Sequence, residues 1–217
     1  MLAHLAPQVK ICGLTRPEDV AHAIEYGADF LGFIVETESK RRLSLSEATA
    51  LALPACGVIP RVAVTVNADK ALLERICTDM QPDYIQCHGD ETPKHVRDIA
   101  MRYNVKTIKA IAVRTAHDIK AAQAYTDAAD ILLYDAKPPE GHTIRGGHGK
   151  AFNWALLQHV RHNHDWALAG GLDPNTIRRA IKQTAAPIVD VSSGVEAKAG
   201  IKDSSLIKAF MKAAKYG

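Results

Sequence analysis

Short runs of β-branched and other apolar residues alternate along this chain with segments whose apolar positions recur every three or four residues. The runs predict strands at Val9–Cys12, Phe30–Val35, Arg61–Val66, Tyr84–Gln86, Lys106–Ala110, Ile131–Asp135, Ala167–Ala169 and Ile188–Val191. The segments between them open on a capping side chain with Pro or a helix former just inside: Thr15 before Pro17, Ser44 or Ser46 before Glu47, Asn67 before Ala68, Thr92 before Pro93, and Asp173 before Pro174. A last helix follows Asp203 and runs to about Tyr216. Eight such units leave about 27 residues each, room for a strand of ~5–6, a helix of ~11–12 and two short loops. That arithmetic predicts the α/β class in its smallest closed form, a single-domain (β/α)8 TIM barrel over residues 1–217.

The rival α/β architecture, an open doubly wound sheet, needs a Gly-rich phosphate turn after its first strand. Here that turn reads Cys12-Gly13-Leu14-Thr15, with no second or third glycine, and it argues against the open sheet. The long irregular segment Ala136 to Lys150 is expected to carry function, as long loops in compact domains do.

Composition narrows the function classes. Apolar residues make up 47% and charged residues 24%, a globular balance. The 27 basic and 24 acidic side chains are interleaved, so no basic block tracks a nucleic-acid backbone, and the formal charge of +3 is a slight lean toward small anions. No run of 18 or more apolar residues occurs, and Met1 to Pro7 has neither a charged start nor a long apolar stretch. The expectation is a cytoplasmic protein with neither membrane span nor secretory signal. Cys12, Cys56, Cys77 and Cys87 match no zinc spacing and are too sparse for a disulfide framework, which leaves four reduced thiols.

In a parallel barrel an ionisable side chain at a strand's carboxyl end is costly unless it faces the open mouth. Period-two alternation puts Lys10 and Cys12 on one face of the first strand; if that face is inward, the cation one pleat below favours a thiolate. The other reading of Cys12 is a small buried apolar residue. The sixth strand stays apolar until Asp135, either a turn starter or an acid that pairs with the thiol. The seventh and eighth strands end in Gly170-Gly171 and in Asp190-Val191-Ser192-Ser193-Gly194, small residues in the two loops where such barrels hold a phosphate. Replacing Gly194 with Asp is expected to block that nest while the barrel still folds. Gly146-Gly147-His148-Gly149-Lys150 fails the P-loop motif, since Ile144 and Ala151 stand at its fixed positions; as a Gly-rich loop it is expected to be able to close over a ligand, with Gly149 on the phosphate. Arg41 and Arg42 either clamp a substrate carboxylate or form a solvated charge run. Gln86 and His88 both face the mouth in one reading, with His88 and Asp190 as substrate contacts; a structural His88 is the alternative. His159, His162 and His164 fall on a helix end and its loop on the opposite face, so no metal site is expected.

Taken together, these residues resemble the phosphoribosylanthranilate isomerases of tryptophan biosynthesis. The likeness runs in order through Val9-Lys10-Ile11-Cys12-Gly13-Leu14-Thr15, Ser39-Lys40-Arg41, Gln86 with His88-Gly89-Asp90-Glu91, Leu133 with Asp135, Gly146-Gly147 with Gly149 to Trp154, Ala169 to Leu172, and Val189 to Glu196. It departs at Val35-Glu36-Thr37-Glu38, where the family often has an aromatic-rich, Pro-containing stretch, and at Cys87, where it usually has Leu; by alternation Cys87 faces the helices. The resemblance implies Cys12 as general base, Asp135 as general acid and Arg41 on the anthranilate carboxylate. It implies an Amadori rearrangement of a phosphorylated aminoaldose that needs no cofactor, since the iminium is its own electron sink, by a monomer or homodimer. Two other classes stand beside it: a sister sugar-phosphate isomerase of histidine biosynthesis, which uses a carboxylate base, and a phosphate-binding barrel without catalysis.

Overall fold

The computed structural model describes residues 6–136, 153–158, 160 and 163–216. The chain runs β1 (Gln8–Cys12), α1 (Pro17–Glu25), β2 (Phe30–Val35), β3 (Arg42–Leu43), α2 (Leu45–Ala52), β4 (Arg61–Thr65), α3 (Lys70–Arg75), β5 (Tyr84–Cys87), α4 (Pro93–Tyr103), β6 (Lys106–Val113) and α5 (Ala116–Ala122). It continues with β7 (Ile131–Ala136), β8 (Asp165–Leu168), α6 (Ile177–Thr184), β9 (Ile188–Val191), β10 (Glu196–Lys198), β11 (Ile201–Lys202) and α7 (Ser204–Tyr216). Eight parallel strands pair in the order β1, β2, β4, β5, β6, β7, β8, β9, and β9 returns to β1, which closes a (β/α)8 TIM barrel. All eight predicted strands are present. The two-residue β3 beside β2 and the β10–β11 hairpin were not predicted, because two or three residues carry no periodicity. Among the described residues no helix is long and apolar enough to cross a membrane.

Alternation along each strand divides the core in two. Phe30, Val62, Val64, Ile108, Ala110, Ile131, Leu133, Ala167 and Ile188 fill the barrel, while Val9, Ile11, Leu31, Phe33, Ile85, Leu132 and Val189 face the helices. The helices answer with Val20, Ala48, Leu73, Val96, Ile119, Ile177 and Phe210. Cys87 lies in this outer layer, as alternation required. Each fully buried aliphatic side chain contributes about 1.5–3 kcal/mol, so truncating one such as Leu132 to Ala costs ~2–5 kcal/mol with the cavity included.

Three helix starts follow the predicted caps. Ser44 and Glu47 form a capping box, the Thr92 hydroxyl accepts from the His95 N–H at 3.2 Å, and Asp203 accepts from the N–H groups of Ser205 and Leu206 at 2.8 and 3.1 Å. Three others are corrected by what the side chain does instead. Thr15 donates its hydroxyl to the Gly200 carbonyl, and Asn67 sits in the left-handed region at φ 49° while Asp69 caps α3. Asp173 closes a turn on Asn175 and Thr176, so α6 begins later, at Ile177.

At the amino-terminal rim the fold repeats one device. Asp29, Asp83 and Asp130 each immediately precede a strand, and each accepts the backbone N–H of a residue on the strand before it: Val9 at 2.7 Å, Arg61 at 2.8 Å and Thr107 at 2.7 Å. The N–H of each aspartate returns a bond to the carbonyl of that same residue. These bonds pair β1 with β2, β4 with β5 and β6 with β7; Pro187 precedes β9.

Candidate active site

The carboxyl ends of β1, β5, β7 and β9 bring Cys12, His88, Asp135 and Asp190 to one mouth, and Lys10 lies one pleat below Cys12. Lys10 and Asp190 are in register across the β1–β9 pair and form an ion pair of 2.9 Å. Burial pulls the Lys10 amine down, but Asp190 and Cys12 outweigh it and hold the ammonium above its ordinary range. Cys12 is 6% exposed. Burial pushes its thiol up and Asp190 adds to this, while Lys10 and Lys202 pull it down; the net direction is upward. Against the expectation that Lys10 favours the thiolate, burial of the thiol weighs more than the attraction of a cation already paired with Asp190. Room for the pair comes from Gly32 on β2, where a Cβ would lie 2.9 Å from Cys12 Sγ and 3.0 Å from Lys10 Nζ. A lone glycine inside the apolar run Phe30 to Val35 was the available signal for that close approach.

Asp135 lies three strands from Cys12 around the barrel, at the carboxyl end of β7 as Cys12 is at that of β1. Its Oδ1 accepts from the Ala136 N–H at 2.8 Å and its Oδ2 is 3.5 Å from His88 Nε2. On the far side of the imidazole, His88 Nδ1 is 3.4 Å from Gln86 Nε2, while Gln86 Oε1 is buried without a partner among the described residues. An amide N–H toward Nδ1 makes Nδ1 the acceptor and turns an Nε2–H toward Asp135. Gly170, in the left-handed region at φ 84°, lets the next strand end approach: a Cβ there would lie 2.9 Å from Asp135 Oδ1 and 2.6 Å from the Ala136 nitrogen.

The two adjacent arginines part company. Arg42 is exposed and pairs with Glu36 at 2.9 Å, and Glu36 also accepts from the Leu45 N–H at the start of α2. Arg41 is buried, and its guanidinium grips both oxygens of Glu196 at 2.7 Å each, so the solvated-charge reading fails for it. Burial alone would raise the Glu196 carboxyl, yet Arg41 and Lys202 hold it below the usual range. Neither Glu196, quoted only as the end of a motif, nor Lys202 was given a role from sequence. Behind the β5 loop another pair was missed: Lys109 donates to Glu91 at 2.8 Å and to the Gly89 carbonyl at 2.7 Å, and Glu91 accepts from the N–H groups of Gly89 and Asn67. This pair fixes the loop that carries His88.

Gly171, Ser192, Ser193 and Gly194 lie in the two loops that follow β8 and β9, as predicted. Gly194 corrects one expectation, since a Cβ there would stand 1.9 Å from the Leu172 carbonyl oxygen. An aspartate at this position collides with backbone, so loss of a ligand could not be assigned to its charge. Gly149, His159 and His162 lie outside the described residues.

Residues 9–213 match the family described as N-(5'phosphoribosyl)anthranilate (PRA) isomerase. The chain is 42% identical over 213 residues to the N-(5'-phosphoribosyl)anthranilate isomerase of Parvibaculum lavamentivorans, covering 97% of this chain and 99% of that one. To the enzyme of the same name from Caulobacter vibrioides it is 46% identical over 207 residues, 95% and 94% of the two chains. The crystal structure of phosphoribosyl anthranilate isomerase from Thermotoga maritima superposes with a TM-score of 0.87 at 37% identity, covering 96% of this chain and 98% of that one. A complex of phosphoribosyl anthranilate isomerase with reduced 1-(o-carboxyphenylamino)-1-deoxyribulose 5-phosphate superposes with 0.84 at 34% identity and the same coverage. This chain belongs to the N-(5'-phosphoribosyl)anthranilate isomerase family.

Proposed function

We propose that the protein isomerises N-(5'-phosphoribosyl)anthranilate to 1-(2-carboxyphenylamino)-1-deoxyribulose 5-phosphate by general acid and base catalysis between Asp135 and Cys12. Family membership over nearly the whole chain carries the reaction; a buried thiol and a buried carboxyl converging on one barrel mouth carry the assignment of roles. Protonated Asp135 donates to the furanose ring oxygen, the C1–O bond breaks, and the anthranilate nitrogen's lone pair forms the iminium. Cys12, as thiolate, takes the proton from C2, and the C–H electrons neutralise the iminium to give the enolamine, which tautomerises to the ketone.

The acid must hold a proton while the base lacks one. Transfer of the thiol proton to Asp135 provides both states at once, as a coupled pair does. The upward push on Cys12 makes the thiolate scarce but a stronger base once formed. His88, with Nε2 3.5 Å from Asp135 Oδ2, and Asp190 stand at the same mouth as substrate contacts. Arg41 meets the anthranilate carboxylate. The loop N–H groups at Gly170, Gly171, Ser192, Ser193 and Gly194, together with Gly149, take the phosphate.

Turnover tests the reading: the fluorescence of the anthranilate substrate falls as it is consumed by the purified protein. No loss of signal beyond the enzyme-free rate overturns it.

A further inference from the structure

Arg41 and the β10–β11 hairpin, which carries Glu196 and Lys202 as paired residues, meet as one buried chain of charge. Arg41 donates through Nε and Nη2 to the two oxygens of Glu196, and Lys202 donates to Oε1 of the same carboxylate at 2.9 Å. Lys202 Nζ also lies 3.0 Å from the Ser192 carbonyl and 3.4 Å from its hydroxyl. The Arg41 stem crosses Gly13, the residue after Cys12; a Cβ there would lie 2.5 Å from Arg41 Cδ and 3.0 Å from Ser192 Oγ. The side chains are 10%, 4% and 0% exposed, in the order Arg41, Glu196, Lys202.

Two cations that share one carboxylate leave a positive charge in excess, and such a charge out of water is costly without an anion. The Arg41 prong left over by Glu196 is Nη1, which makes no hydrogen bond among the described residues. A two-pronged grip fixes the plane of a guanidinium, so Glu196 decides the direction of Nη1. Lys202 anchors Glu196 and the Ser192 loop through one ammonium, which holds that prong and that loop at a set separation.

We infer that Glu196 and Lys202 are positioning residues: they aim Arg41 at the ring carboxylate of the substrate and so set the enzyme's preference for ligands that carry this group. The inference rests on the reading of Arg41 given above. Glu196→Gln removes the second grip and leaves the guanidinium facing an ammonium with no anion between them, so Arg41 swings away. Lys202→Met keeps the grip but frees Glu196 from its anchor and cancels the excess charge that attracts the anion.

The test compares dissociation constants for reduced 1-(o-carboxyphenylamino)-1-deoxyribulose 5-phosphate and for its phenylamino counterpart without the carboxylate. The unmodified protein is expected to prefer the first by about 10–100-fold, the size of a charge-assisted hydrogen bond, and Arg41→Ala to abolish the preference. Glu196→Gln and Lys202→Met are each expected to reduce it at least ~5-fold; affinity for the second ligand is held within ~2-fold in Glu196→Gln, while Lys202→Met, which also releases Ser192, weakens both ligands through the phosphate and is read by their ratio. Lys202→Arg keeps the charge and is expected to keep the preference. The second ligand reports a folded site in every variant, so a general loss of structure is not mistaken for a loss of aim. A preference unchanged or increased in either Glu196→Gln or Lys202→Met, while Arg41→Ala abolishes it, overturns the positioning role alone. A preference that survives Arg41→Ala overturns the carboxylate reading beneath it.

Discussion

Lys10 Nζ lies 2.9 Å from Asp190 Oδ1 on the neighbouring strand, one pleat below the thiol of Cys12. The two charges act on that thiol in opposite senses: Lys10 pulls its pKa down and Asp190 pushes it up. Thiolate is the form that alkylates, so Lys10→Met is expected to move the pH midpoint of Cys12 alkylation upward and Asp190→Asn to move it downward. Mass-spectrometric mapping of the modified cysteine against pH reads both, and shifts in the same direction would remove the electrostatic account.

The order in which the four cysteines react follows from burial. A mouth-facing Cys12 with a favoured thiolate would be modified first. Cys12 is instead buried with a raised pKa, Cys77 is raised by burial, Cys87 is pushed up to about 12, and Cys56 is exposed. Cys56 is therefore expected to react first at neutral pH, and product analogue to protect Cys12 alone. Faster labelling of Cys12 than of Cys56 in the ligand-free protein would contradict this.

Asp135→Asn keeps size and shape but cannot deliver a proton to the ring oxygen. The expected loss in kcat is about 10²–10⁴, with little change in KM. Cys12→Ser is expected to lose most activity as well, because a hydroxyl is a far weaker base. Near-normal turnover by either variant would take that residue out of the mechanism.

Glu91 and Lys109 form an ion pair with side chains 2% and 3% exposed, so removing one partner strands a charge. Lys109→Met is expected to destabilise the protein by about 3–5 kcal/mol, and Lys109→Met with Glu91→Gln by clearly less. Burial alone would raise the Glu91 carboxyl, but Lys109 and backbone N–H groups hold it below the ordinary 4.5. A depressed folded-state value gives stability that is present in full above pH 4.5 and is lost as pH falls from there through the folded value. Denaturant midpoints between pH 7 and pH 3 measure it; an equal acid loss in the double variant would assign the effect to other groups.

The barrel was legible because its signal is repeated: eight apolar runs at near-even spacing, each alternating in two faces. The mouth was legible at Cys12, His88, Asp135 and Asp190 because strand alternation fixes which way each points. What stayed hidden depends on contacts between distant segments. Glu196 meets Arg41 across 155 residues of chain, a separation no local period reports, and Lys202 joins them only through Glu196. The sign of the balance on Cys12 was hidden too, because sequence names its neighbours but not how much water they exclude.

The aspartates at the amino-terminal rim make the barrel a structure of twos. Each of the three carboxylates fastens a strand to its successor, so the unit that carries its own fastener is a pair of strands with the helix between them, and the ring is three fastened quarters and a fourth that begins with β8. Among the described residues no aspartate of this kind spans the joints between quarters: β2 to β4 and β7 to β8 are joined by the backbone ladder and packing, while β9 to β1 adds the Lys10–Asp190 pair and β5 to β6 the bonds of Lys109 to the loop after β5. A chain cut at such a joint leaves every fastener intact within one fragment, whereas a cut inside any of the three fastened quarters separates a carboxylate from the N–H it holds. The places where this ring can be opened, split or recombined are thereby written into the spacing of Asp29, Asp83 and Asp130.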